Sequence, residues 1–88
     1  MAQVGTVTTA APRVLKMTSF NVRKHIQITA GGANTLEVAT KEVGQSAFTT
    51  QDTISGKTII LDMISVEEIQ LTASGGDVDF TVITYKDN

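Results

Sequence analysis

The chain has no cysteine, no tryptophan, one proline and one histidine among its 88 residues. Without cysteine there is no disulfide framework, the usual staple of a small secreted domain, and no record of redox compartment. A lone His25 cannot build a zinc site, so no structural metal is expected. No apolar run is long enough to span a bilayer, and the amino terminus, Met1-Ala2-Gln3-Val4-Gly5-Thr6, has neither a basic start nor an apolar stretch. These absences predict a cytoplasmic product that does not enter membranes. A chain this short buries only about 60 to 65 per cent of its unfolded surface. With disulfides and metals excluded, neighbouring subunits are the expected source of extra stability.

What is present favours strands. Thr, Val and Ile are abundant, Pro12 is the only proline, and no window longer than a turn keeps the three-and-four spacing of a helix. Ile26-Gln27-Ile28-Thr29-Ala30, then Gly31-Gly32-Ala33-Asn34, then Thr35-Leu36-Glu37-Val38-Ala39 is alternation around a glycine-rich break, and it predicts a β-hairpin. Similar wording returns 43 residues later as Ile69-Gln70-Leu71-Thr72-Ala73-Ser74-Gly75-Gly76-Asp77, running into a strand over residues 78–85. Either duplication or two hairpins reaching similar turns independently explains the likeness. In both, Ile26, Ile28, Leu36, Val38, Ile69, Leu71, Val78, Phe80 and Val82 are expected to face inward. Residues 47–54 read as a further strand and residues 58–62, with continuous apolar character, as one covered on both faces. In residues 13–22, a bulge near Thr18 or Ser19 would bring Leu15, Met17, Phe20 and Val22 to one face. The economical fold is all-β, a compact antiparallel β-sandwich or small barrel of about six to eight short strands. Residues 1–12 read as an amino-terminal arm and 13–88 as one β domain.

The chemistry-bearing residues do not assemble into a catalytic pattern. His25 is the only ordinary base near neutral pH, no serine sits in a Gly-x-Ser-x-Gly elbow, and neither glycine pair has Walker or Rossmann spacing. Asp77 and Asp79 follow Gly75-Gly76, but the full spacing of a calcium loop is missing and such residues commonly solvate a turn. Arg23, Lys24 and His25 alternate across a strand rather than forming a patch, and aromatics for base stacking are few. Neither enzyme activity, nor a cofactor, nor a small-molecule substrate, nor nucleic-acid binding is expected.

Surfaces for assembly are better supported. Residues 1–44 carry five basic and two acidic side chains, net +3; residues 45–88 carry two and seven, net −5. Arg23-Lys24 precede the first glycine-turn segment as Glu67-Glu68 precede the second, which suggests a head-to-tail contact between copies, or ordinary cross-strand pairs within one sheet. Ile83 and Tyr85 form a second apolar pair opposite the core face of the last strand, and Ile60 and Ile64 repeat that in their own segment. Val4 and Val7 give the arm strand-forming character, as a frayed tail, a strand added to a neighbour's sheet, or a segment ordered by contacts within its own chain. The candidate interface is therefore Val4, Val7, Arg23, Lys24, Glu67, Glu68, Ile83 and Tyr85.

The run Ile-Gln-Leu-Thr-Ala-Ser-Gly-Gly-Asp-Val-Asp-Phe-Thr-Val-Ile-Thr-Tyr at residues 69–85, with the Thr-, Ala- and Gly-rich start, resembles small β-structured virion proteins of tailed bacteriophages, including the decoration or cement proteins of capsid shells. That resemblance implies a non-enzymatic structural protein of the virion, made in the host cytoplasm. Its expected partners are the major capsid protein or another virion protein, together with copies of itself in a homo-oligomer. A tail or baseplate component is the nearest variant. A small carbohydrate-binding or adhesin module is the alternative, disfavoured by the absence of Trp and the presence of only Tyr85 as a phenolic platform.

Overall fold

The computed structural model describes residues 2–17, 24–63 and 65–86. Eight strands run in the order β1 (Ala2–Val7), β2 (Arg13–Lys16), β3 (Lys24–Ala30), β4 (Thr35–Glu42), β5 (Thr49–Ile54), β6 (Thr58–Met63), β7 (Val66–Ser74) and β8 (Val78–Lys86). They form two antiparallel four-stranded sheets, β1-β8-β3-β6 and β2-β7-β4-β5. The fold is a β-sandwich, as the alternation of apolar residues predicts. The inward set reads straight from that alternation: Ile26, Ile28, Leu36, Val38, Ile69, Leu71, Val78, Phe80 and Val82 are all buried, joined by Val7, Leu15, Met17, Ile54 and Val66.

The connectivity departs from the expected hairpins. β3 and β4 lie in different sheets, as do β7 and β8, so both glycine-turn segments are arches that carry the chain across the core. Among the described strands only β4 and β5 are both consecutive and hydrogen-bonded to each other. The pairs β1–β8, β2–β7, β3–β6 and β4–β5 are those of one long antiparallel ribbon doubled back at residues 43–48. Rolling that ribbon adds β3–β8 and β4–β7 and gives the strand order of an eight-stranded jelly roll. Alternation specifies which face of a strand is buried and is silent on whether the next strand lies beside it or roughly 10 Å away across the core.

The two similar segments are neighbours in both sheets, β3 against β8 and β4 against β7. Their corners touch. Asn34 Nδ2 donates to the Asp77 carbonyl at 3.1 Å, linking residues that hold equivalent places 43 positions apart. Gly32 and Gly75 adopt φ of 85° and 86°, the left-handed region that both turns require and that other residues resist. Ser55 Oγ donates to the Ala33 carbonyl at 3.2 Å and brings the β5–β6 corner to the same end of the sandwich.

β6 also differs from expectation. Its residues alternate between exposed and half-buried, with Ile59, Leu61 and Met63 packed on the core and Ile60 66% exposed, so only one face is covered. The physical reason is the two-layer architecture, which covers a strand on its inner face alone, and the place of β6 at the edge of its sheet leaves even that face half-buried. The proposed bulge at Thr18 or Ser19, with Phe20 and Val22, lies outside the described residues, as does Ile64.

Candidate interaction surface

The outward faces of the two sheets differ in chemistry. On the β2-β7-β4-β5 sheet, register aligns Lys16, Glu68 and Lys41 in one row, Val14, Gln70, Ala39 and Thr50 in the next, and Thr72, Glu37 and Thr53 beyond. Lys41 Nζ lies 2.6 Å from Glu68 Oε1, and the ammonium sits 5.6 Å from the Phe48 ring centroid. The hydrogen bond to Glu68 raises the Lys41 pKa, partial desolvation works against it, and the negative charges of Glu68 and Glu67 add to the rise. This face carries its charges in the Lys16-Glu68-Lys41 row and at Glu37, on either side of a charge-free row.

The β1-β8-β3-β6 sheet presents a different pattern. With Val78, Phe80 and Val82 turned inward, β8 shows Asp79, Thr81 and Ile83 outward; β3 likewise shows His25, Gln27 and Thr29, and β6 shows Thr58, Ile60 and Asp62. Two central rows run straight across the sheet: Val4, Thr81, Thr29 and Thr58, then Ile83, Gln27 and Ile60. Neither row holds a charge. Val4 is 72% exposed and Ile60 66%, the two largest exposures of large apolar side chains among the described residues. Thr29 and Thr58 share a hydroxyl–hydroxyl bond of 2.8 Å, so these two hydroxyls satisfy each other. Charge appears only at the margins: Asp79 Oδ1 accepts from Thr6 Oγ1 at 2.7 Å at one end, and Asp62 stands opposite His25 at the other. A shallow groove lined by Val4, Thr6, Thr29, Gly31, Asp79 and Thr81 crosses the first of these rows.

The eight residues singled out from sequence divide sharply. Val4 and Ile83 stand on this uncharged face, Ile83 half-buried between its neighbours. Tyr85 follows on β8 in register with His25. Val7 is 1% exposed and belongs to the core of its own chain, where β1 pairs with β8 along its whole length. Arg23 lies outside the described residues, and Lys24 opens β3 opposite Met63 and Lys86. Glu67 and Glu68 are in the other sheet, near the end where β6 gives way to β7. Lys24 is therefore not a cross-strand partner of these glutamates, which stand in the opposite sheet. Instead Glu68 is engaged by Lys41 of the same chain, and the Glu67 carbonyl, at a break in the β4–β7 register, accepts the Met17 N–H at 2.8 Å. The outward threonines Thr29, Thr58 and Thr81 escaped the sequence reading, because their clustering appears only once three non-consecutive strands are set side by side.

At the sandwich sides, the β1/β2 edge is closed by Arg13, whose guanidinium sits 5.2 Å from the Phe80 ring centroid. Gly5 makes this possible, since a Cβ there would fall 2.7 Å from an Arg13 nitrogen and 3.1 Å from Phe80. No such cap covers the β5/β6 side among the described residues, where Ile59, Leu61 and Met63 stay partly exposed. No group of three or more metal-ligating side chains gathers among the described residues. Searches against protein-family models and curated proteins find no match to this chain.

Proposed function

We infer that this chain is a non-enzymatic structural protein of a phage virion, of the capsid decoration type, which attaches to the shell through the outward face of the β1-β8-β3-β6 sheet. The observation that carries the binding role is the pair of charge-free rows containing Val4, Thr81, Thr29, Thr58, Ile83, Gln27 and Ile60. A sheet face with exposed Ile and Val and a paired Thr29–Thr58 hydroxyl couple is suited to contact with a large partner rather than to enclosing a small molecule. The virion assignment is supported by the resemblance of residues 69–85 to small phage structural proteins; jelly-roll topology, which many unrelated functions share, adds no weight of its own. Quantitative mass spectrometry of purified particles tests it. A regular stoichiometry to the major capsid protein is the expected result, and absence or mere traces would overturn the assignment.

A further inference from the structure

We propose that β6 pairs antiparallel with β6 of a second copy across a two-fold axis through Ile60, joining two sheets into one of eight strands. The proposal stands apart from the virion reading. An edge strand carries a row of backbone donors and acceptors turned away from its sheet, and natural edges are blunted by charge, proline, bulges or cover. The other edges here are blunted. β1 is flanked by the Arg13 guanidinium at Gly5, β2 is four residues long with Arg13 and Lys16, and β5 carries a bulge where Gln51 falls between Thr50 and Asp52. β6, Thr-Ile-Ile-Leu-Asp-Met, has no proline and no bulge, carries Asp62 as its one charge, and pairs with β3 through six consecutive residues without a register break.

The sequence of β6 complements itself. A two-fold axis perpendicular to the sheet keeps outward residues beside outward ones, so it must pass through a residue rather than between two. Centred on Ile60, the outward pairs are Ile60 with Ile60 and Thr58 with Asp62, and the inward pairs are Ile59 with Leu61. The two Asp62 carboxylates then stand four residues apart along the strands, roughly 13 Å at strand spacing, beyond the screening length at physiological salt. Centred on Leu61, each Asp62 would face Ile60. The Ile60 register also covers the uncapped side of the sandwich, where Ile59 and Leu61 remain partly exposed, and it buries the most exposed isoleucine among the described residues.

The absence of native cysteine makes the register directly testable by oxidation of single-cysteine variants of the full chain. Directly opposed residues of an antiparallel pair have Cα atoms about 4.5 to 5.5 Å apart, within disulfide range. Ile60→Cys should form a disulfide-linked dimer nearly quantitatively, whereas Thr58→Cys and Val4→Cys should stay single, and Thr58→Cys/Asp62→Cys should crosslink again. Ile60→Lys opposes two ammonium groups at the axis and should weaken dimerisation by more than about tenfold with an unchanged circular dichroism spectrum. A single-subunit mass for the wild type throughout a concentration series overturns the proposal. So does growth into open polymers, the mark of β6 pairing with β1, or equal crosslinking of Thr58→Cys and Ile60→Cys.

Discussion

Ile28 and Ile60 are chemically identical side chains on neighbouring strands, with exposures of 0% and 66%. Replacing each by alanine removes the same three carbons. At Ile28 the lost transfer free energy is about 2.4 kcal/mol at roughly 0.8 kcal/mol per methylene, and the cavity left in the core raises the loss to about 2–5 kcal/mol. At Ile60 two-thirds of the side chain already meets water, so in a single subunit the loss stays below about 1 kcal/mol. A domain of 88 residues has a total stability of about 4–13 kcal/mol, so the first substitution removes a large share of it and the second a small one. Thermal unfolding at dilution, where single subunits prevail, should show Ile28→Ala melting at least about 8 °C lower and Ile60→Ala within a few degrees of the wild type. Similar losses at the two sites would refute the reasoning, because Ile60 would then be covered within its own chain and β6 would not be an open edge.

Gly75→Ala places a Cβ on a backbone held at φ of 86° and should cost about 1–2 kcal/mol by urea denaturation, with Gly32→Ala at φ of 85° giving a matching loss. The Lys41 pKa is raised in the folded state, so the pairing with Glu68 contributes fully below the ordinary lysine value of 10.5 and fades as pH climbs through the higher folded value. Melting curves of Lys41→Met should therefore converge with the wild type only at strongly alkaline pH, while the gap between them stays constant from pH 6 to about pH 9. Attachment through charge-free rows should be nearly indifferent to ionic strength between about 0.05 and 1 M, and a steep fall with salt would assign the contact to charged residues instead.

The core was legible in the sequence because inward residues recur every second position, and every residue expected to face inward from the two glycine-turn segments is buried. The neighbours of each strand were not. Ile28 and Leu36 would be inward in a hairpin and in an arch alike, and the four residues between β3 and β4 suffice for either. The candidate interaction surface was partly legible for the same reason. Ile83 stood out because it breaks the alternation of β8 on the outward side, but the threonines beside it come from β3 and β6, which are 29 residues apart at the Thr29–Thr58 bond. The charge contrast between halves of the chain pointed elsewhere: Glu68 is matched by Lys41 in the adjacent strand, a pairing set by the β4–β7 register.

The proposed attachment uses one face of the sandwich and leaves the other free. Particles stripped of the protein, or made without it, provide the direct measurement through add-back and sedimentation. Wild-type protein should rebind to saturation; Ile83→Arg and Thr81→Lys, which place charge in the two neutral rows, should fail to rebind while melting normally; and Val14→Lys, on the outward face of the other sheet, should rebind like the wild type. Loss of rebinding by Val14→Lys together with undiminished rebinding by Ile83→Arg and Thr81→Lys would contradict the account.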